Sequence, residues 1–399
     1  MADPRLFPLR PDWSSGVTDR IEFATNVFVS DNGTEERRAA RAEPRLRRQI
    51  GGWEKARGAR AVLDRLRVRA GERFVLRDPW LQAKLSGAVA GDQVLTVTAA
   101  PAWLSEAAVL VLDVSGREFT VEPTSVSVQN DTTTIALAEP LDVDVPGGSF
   151  AYAGFVGFID DRINVTARTS DVVALGVTML GEVGRNVLPD AGLEGETFQG
   201  LEVFPFRANW AQPIRRSFNP VMRRADFGYG RFTRTPDYDW VPQSVRATYL
   251  GRDRDGVDSI IGFFMRHKGR LKPFWKGSDT DDFEMAVAAP AGAQLITVRG
   301  ETAGLYLDDP AHRYVVWDLY DGSRVYGELT GAVVQSNTTV LGLKDPLPRA
   351  IDPDDVRRFT WLEMTRFGAD ELTVDWITTE VGEVAAAFQN LRIPGEETL

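Results

Sequence analysis

The sequence predicts an α+β protein that is mostly β, built as two tandem copies of one module. Each copy is read as a β-barrel or β-sandwich module with one short helix, followed by a second small β-sandwich or barrel part. Three observations predict this. An amphipathic helix occurs twice, motif matches run colinearly between the halves, and short β-branched runs are punctuated by Gly, Pro, Asn and Asp.

The clearest element lies in Asp253–Trp275, a helix that stops at a glycine and runs into an aromatic strand. Val257, Ile260, Ile261 and Phe264 fall at i, i+3, i+4 and i+7, which puts one apolar stripe on one face. Asp255 stands where an N-cap acceptor belongs, and Asp258 adds negative charge to the first turn, where the helix dipole favours it. Arg266, His267 and Lys268 crowd the last turn, Gly269 supplies a left-handed stop, and Pro273 prevents continuation. The stripe recurs 198 residues earlier as Ala59, Val62, Leu63 and Leu66, with Gly71 at the stop (269 − 198 = 71).

Further matches make the duplication chain-wide. Phe7-Pro8-Leu9-Arg10-Pro11-Asp12-Trp13 aligns with Phe204-Pro205-Phe206-Arg207-Ala208-Asn209-Trp210 at an offset of 197, as do Gly33 with Gly230 and Arg37 with Arg234. Ala90–Val97 aligns with Ala291–Val298 at 201, and Thr132–Leu141 with Thr338–Leu347 at 206. Phe150, Tyr152, Phe158, Ile163 and Val165 align with Phe359, Trp361, Phe367, Leu372 and Val374 at 209. The offset only rises, as expected if the second copy gained loop residues.

Within each copy an extended opening leads to alternating runs such as Ile21–Val29 and then to a turn. That turn is Ser30-Asp31-Asn32-Gly33 in copy one and Asp226–Gly230 in copy two; Asn-Gly is a strong hairpin signal. A strand (Ser244–Leu250 in copy two), the helix and an aromatic strand follow. Short runs at Gln93–Thr98, Val109–Val114, Glu118–Val121, Val126–Gln129 and Thr133–Leu137 then have the rhythm of a small sandwich or barrel, repeated over Gln294–Leu343. Copy one is assigned to 1–180, with a first module at 1–88 (helix about 54–70), an inserted β domain at 89–148 and closing strands at 149–180. A Gly- and acid-rich linker occupies 181–200. Copy two spans 201–393, with its module at 201–288 (helix about 256–268), inserted β domain at 289–357 and closing strands at 358–393; 394–399 is a tail.

Composition bounds the function. At 399 residues two or more domains are expected, and 43% apolar residues suffice for ordered cores. A net charge of −11 argues against a general nucleic-acid binder. With no cysteine there is no disulfide framework or thiolate metal site, which fits a reducing cytoplasm. The opening residues show no apolar signal core and no run approaches a membrane span, so a protein without a classical export signal or membrane insertion is expected.

One resemblance carries function. Met222–Arg234 (MRRADFGYGRFTR), followed by a strand, a helix and Gly269-Arg270-Leu271-Lys272-Pro273-Phe274-Trp275, resembles the minor tail protein M and distal tail protein families of tailed bacteriophages. Those families carry a similar glycine hairpin, strand, short helix and Gly-x-x-x-Phe segment. Copy one holds the variant Ser30–Arg38 (SDNGTEERR), which is similar to tail proteins of phages and gene-transfer agents. The likeness covers about the first 75 residues of each copy. It implies a virion protein, assembled in the host cytoplasm, that forms a ring joining the tail tube to the tip or baseplate hub, with DNA only passing through the channel. Its partners would be itself, tube and hub proteins, and tail fibres. Family members are usually single-copy, so the duplicated chain fits either a hexamer or a pseudo-six-fold trimer, both closed by heterologous contacts. The motif positions are Phe7, Trp13, Gly33, Arg37, Phe204, Trp210, Gly230, Arg234, Gly269, Phe274 and Trp275.

No catalytic, cofactor or metal residue is assigned. A Ser-His-Asp site needs a positioned imidazole, and the chain has only His267, read as a cation suited to a helix C-terminus, and His312, in a loop. Two histidines and no cysteine nearly exclude zinc. Asp253, Asp255, Asp258 and Asp279–Asp282 cluster oxygens, yet an EF-hand counted from Asp253 fails because Gly256 is fourth and Phe264 twelfth. Glycoside hydrolysis would draw on Asp237, Asp239, Glu371 and Asp375, but 57 acids make such neighbours common. The stronger alternative is a sugar-binding β-sandwich using some of ten tryptophans; against it, the Trp13/Trp210 and Tyr152/Trp361 pairs suggest core or domain-packing positions. Twelve arginines between Arg37 and Arg73 are half offset by nearby acids and read as a solvated face or as subunit-interface ion pairs.

Overall fold

The β-branched runs dominate. A computed structural model of the chain is 53% strand and 8% helix, an α+β architecture that is mostly β, and among the described residues no sheet closes into a barrel. The structure describes residues 5–7, 16–30, 33–69, 71–98, 101–129, 132–230, 232–237, 240–302, 307 and 312–393.

In the first repeat, β1 (Arg5–Leu6), β2 (Val17–Glu22), β3 (Thr25–Val29), β4 (Glu35–Ala39) and β5 (Arg45–Lys55) precede α1 (Ala56–Val68) and β6 (Phe74–Lys84). The inserted region holds β7 (Val94–Thr98), β8 (Leu110–Val114), β9 (Arg117–Val121), β10 (Pro123–Gln129) and β11 (Thr132–Leu137). The long pair β12 (Phe150–Ala167) and β13 (Val172–Gly181) closes the repeat. In the second, β14 (Thr197–Phe198), β15 (Leu201–Glu202), β16 (Arg215–Phe218), β17 (Met222–Asp226), β18 (Phe232–Pro236) and β19 (Gln243–Gly251) precede α2 (Arg254–His267) and β20 (Phe274–Gly277). Then come β21 (Leu295–Arg299), β22 (Tyr314–Leu319), β23 (Arg324–Gln335), β24 (Thr338–Leu343), β25 (Val356–Phe367), β26 (Glu371–Trp376) and β27 (Gly382–Asn390).

Strand registers repeat as the motifs do. Thr18 faces Gln49 across β2–β5, and Arg215 faces Arg246 across β16–β19, both shifted by 197. A bulge lies at Pro123/Ser125 against β11 and again at Leu329/Gly331 against β24, both shifted by 206. Pro123 cannot donate to a ladder and opens β10 as a separate strand, whereas β23 runs through the bend. The one long strand β12 corresponds to two in repeat two, β25 and β26, and the register of β12 against β13 jumps between Ile159 and Ile163, where repeat two breaks.

The helices sit as their stripes require. Val257, Ile260, Ile261 and Phe264 are buried, as are Ala59 and Val62, with Leu63 packed beside them; the side chain of Leu66 lies outside the described residues. The N-cap of α2 is Asp253 rather than Asp255. Asp253 is extended and its Oδ1 accepts from the Gly256 amide at 2.8 Å, while Asp255 lies within the first turn, where it still complements the dipole. Lys268 and Gly269 both take left-handed φ (51° and 63°), which stops the helix. Neither described helix is long and apolar enough to cross a membrane.

The repeats do not pack as two separate bodies. One continuous apolar cluster takes Ile21, Ile50, Phe74, Phe155 and Val177 from the first and Phe204, Tyr249, Phe264, Leu372 and Val374 from the second. Each inserted β region keeps its own smaller core, around Trp317 and Phe359 in one and Leu95, Leu110 and Ile135 in the other. The 181–200 segment is tied down at Asn186, whose side chain bonds both the N–H and C=O of Val156 at 2.7 and 2.9 Å.

Candidate functional site at the seam between the repeats

The repeats join through a strand. β2 pairs antiparallel with β5 of its own repeat on one edge and with β26 of the other repeat on its second edge. The register runs from Val17 opposite Trp376 to Glu22 opposite Glu371. Period-two alternation sends Val17, Ile21, Leu372 and Val374 into the shared core, where all four are buried. Each such side chain contributes about 1.5–3 kcal/mol. A rim pair such as Arg20–Glu371, at 3.8 Å and half exposed, contributes about 0–1 kcal/mol. Apolar burial therefore holds the seam, and its alternation sets the register.

Asp19 shares the inward face with Val17 and Ile21, so it needs a partner. Arg48 on β5 supplies one: Nε and Nη2 donate to the Asp19 carboxylate at 2.7 and 3.1 Å, and Nη1 lies 3.0 Å from Asp78. Trp376 Nε1 donates to Asp19 across the seam at 3.1 Å. The Arg48 guanidinium sits between the Trp80 and Phe155 rings, 4.3 and 4.7 Å from their centroids. Burial alone would lower the Arg48 pKa, but Asp19 and Asp78 outweigh it and hold it above the ordinary value. For Asp78, burial wins over Arg48 and raises the pKa. A cleft of about 510 Å³ opens over this network, walled by Arg47, Trp80, Arg254 and Trp376 and by residues 186–191.

A second knot sits at the corner where β2 becomes β3. The Ile21–Val29 run is two strands, because the Phe23 amide donates to the Asp370 carbonyl at 2.8 Å and turns the chain out of the sheet. The Asp370 carboxylate accepts from the amides of Thr25 (2.7 Å) and Arg270 (2.9 Å) and from Arg270 Nη2 (3.0 Å). Burial would raise its pKa, yet those donors hold it below the ordinary aspartate value. The β3–β4 hairpin then lies against the second repeat, where Glu35 meets Arg366.

The motif residues divide between core and hairpin. Phe7 and Phe204 are buried in equivalent places, their amides donating to Val75 and Trp275 carbonyls at 2.7 Å each. Phe274 and Trp275 are buried beside them, and Trp275 Nε1 donates to the Phe198 carbonyl at 2.8 Å. Gly33 and Gly230 take left-handed φ (80° and 76°) at the ends of the β3–β4 and β17–β18 hairpins, whose strands carry Arg37 and Arg234. Trp13, Asp31 and Asn32 lie outside the described residues. Trp210 corrects the expectation of a packing position. It is 62% exposed, on a tight turn closed by the Asn209 carboxamide, which accepts from the Ala211 amide at 3.1 Å.

His267 is a core residue and not the cation expected at a helix end. Its Nδ1 donates to the Phe263 carbonyl at 2.8 Å, and burial lowers its pKa to about 4, so it is neutral at pH 7. His312 packs edge-on against Trp361, with Nε2 3.8 Å from Glu363. Of the acids weighed for chemistry, Asp239 lies outside the described residues and four others are engaged structurally. Asp253 caps a helix, Asp237 pairs with Arg223 at 2.7 Å, Asp375 accepts from the Thr18 hydroxyl at 2.7 Å, and Asp282 accepts from the Trp361 amide at 2.9 Å. Among the described residues no group of three or more His, Asp or Glu is placed to hold a metal ion.

Sequence reasoning did not single out Asp19, Arg48, Glu35, Arg366, Asp370 or Trp376. The available signal was the alternation of Leu372, Val374 and Trp376, a strand too apolar on one face to stand at an edge. No protein-family model matches the chain, and no curated protein matches it.

Proposed function

We propose that the chain is a structural subunit that assembles with itself into a ring at the distal end of a bacteriophage tail, between the tube and the tip hub. The observation that carries this reading is the seam. It joins unlike edges of like modules, β2 of one repeat to β26 of the other, which is a head-to-tail contact and the kind from which rings are built. The hairpin–strand–helix order around Gly33 and Gly230 supports placing that ring in a phage tail, since the tail-protein likeness rests on those residues.

The test is solution mass by multi-angle light scattering, with negative-stain images of the same fraction. Three or six chains around a central hole are expected; filaments or a compact dimer sink the reading. A sugar-binding reading draws on the cleft, where Trp80 and Trp103 are half-buried. It predicts glycan-array binding that a Trp103→Ala variant loses.

A further inference from the structure

The seam uses one edge of each repeat and leaves the matching edge of each unused. Repeat one presents β2, which β26 covers; repeat two presents the equivalent strand β16, which among the described residues pairs only with β19. Repeat two receives on β26; the equivalent half of β12, residues 163–167, pairs among the described residues only with β13. Two half-seams therefore remain on each chain, one of each kind.

The exposed side chains on these edges match those the seam buries. Phe218 is 63% exposed, whereas its counterpart Ile21 is 2% exposed (218 − 21 = 197). Val165 is 48% exposed, whereas its counterpart Val374 is 0% exposed (374 − 165 = 209). Beyond the edge the pattern continues. Thr25, tied to Asp370, is buried, but its counterpart Met222 is 47% exposed, and β17 and β18 are exposed along their whole length. An open edge with outward apolar residues is a pairing site unless it is blunted, and these strands end in Phe218 and carry Val165 uncovered.

We infer that β16 of one chain adds to the free half of β12 of a second copy of this chain, in the register that β2 and β26 keep within the chain. Shifting that register by 197 and 209 sets Arg215 opposite Thr166, Arg216 opposite Val165, Ser217 opposite Asn164 and Phe218 opposite Ile163. The occupant is a second copy because the same chain holds both halves of the contact and already forms it once. The inference rests on the assembly reading and names its surface: every other seam in the ring is within a chain, and the rest are between chains.

The absence of cysteine makes cross-linking a clean test. Facing residues of an antiparallel pair have Cβ atoms about 4.5–5.5 Å apart, near the about 3.5–4.5 Å of a disulfide, whereas a two-residue slip gives about 7–8 Å. Ser217→Cys combined with Asn164→Cys is expected, on mild oxidation, to give a ladder of covalent multimers. Ser217→Cys with Thr166→Cys is expected to give far fewer. Arg20→Cys with Thr373→Cys reports the seam within one chain and is expected to link without changing the mass, which also shows that the fold is intact. Phe218→Asp, at an exposed position, is expected to remove the multimers while leaving the Arg20→Cys/Thr373→Cys link within one chain able to form. Rings without in-register cross-links overturn the inference and leave the ring reading standing. In-register cross-links in open chains uphold the inference and sink the ring. A monomer that does not cross-link at its highest soluble concentration overturns the inference.

Discussion

Arg366 of the second repeat clasps Glu35 of the first through both Nε and Nη2, each at 2.7 Å, with both side chains almost covered. Removing one partner of such a pair leaves a buried charge uncompensated, which costs about 3–5 kcal/mol, while replacing both with apolar groups is often nearly neutral. Arg37 makes the two ends unequal. Burial lowers its pKa, Glu35 opposes that, and Arg366 adds to it. Glu35→Ala therefore leaves two guanidiniums facing each other and is expected to destabilise more than Arg366→Ala. Glu35→Leu with Arg366→Met is expected to destabilise less than either. Urea midpoints at unchanged slope check the order.

Gly269 and Lys268 give opposite expectations at adjacent positions. Gly269 has φ +63°, and a Cβ there would meet Asp370 Oδ1 at 2.7 Å and its Cα at 3.1 Å. Gly269→Ala is expected to lose about 2 kcal/mol or more, combining left-handed strain with displacement of the Asp370 knot. Lys268, also left-handed at φ 51°, bears that strain already, so Lys268→Gly is expected to gain up to about 1 kcal/mol. A Lys268→Gly variant that melts lower than the parent contradicts this.

His267 makes stability depend on pH in a defined window. Its folded pKa of about 4 lies below the ordinary 6.5, so the unfolded chain binds the proton first. The neutral ring's contribution is full above pH 6.5 and is lost as pH falls towards 4, by at most about 3 kcal/mol. Glu202 opposes its own burial through bonds from Arg266 and the Gly195 amide, which lower its pKa. Its loss therefore comes further down, below the ordinary 4.5. His267→Gln is expected to flatten the stability profile between pH 4 and 6.5 while leaving the steeper fall below it. A profile identical to the parent's refutes the assignment.

The two hairpins differ in how they are held, and trypsin reads the difference. Arg223, Arg224 and Arg234 lie on an exposed two-stranded ribbon, which is marginal alone. Arg37 and Arg38 lie on a hairpin clamped at Glu35 and Thr25. In the dissociated chain the first cuts are expected after residues 223, 224 and 234, and Asp370→Ala is expected to open the repeat-one hairpin to the same rate. Earlier cutting at Arg37 or Arg38 in the parent chain contradicts the assignment of the clamp.

The local elements were legible in the sequence because their signals are local. The i, i+3, i+4, i+7 stripe of α2 is buried as read, and the short runs near Gln93, Val109 and Thr133 are strands. Asp255 and Asp253 are two acids two positions apart, and which of them caps is decided by which residue is extended. The seam was not legible, because a pairing between residues about 355 apart leaves no mark near either one. Arg48 sat in a run that reads as solvated, and its burial follows from Asp19 and Asp78, which are brought to it only by the fold. Trp210 shows the limit of a repeated motif: recurrence of a residue type does not decide its exposure, which depends on the neighbours the fold supplies.

The pairing of β2 with β26 also sets a timetable. Its partners stand near opposite ends of the chain, Thr18 against Asp375. During synthesis at about 5–20 residues per second, β2 emerges roughly 20–70 s before the strand that covers it. The first repeat must hold a half-built sheet, with Ile21 and its open edge uncovered, for that whole interval. Non-local pairings of this span are slow to close and leave edges exposed meanwhile. A nascent chain stalled before residue 371 would therefore expose the edges of both β2 and β19, which β26 and β27 cover in the finished protein.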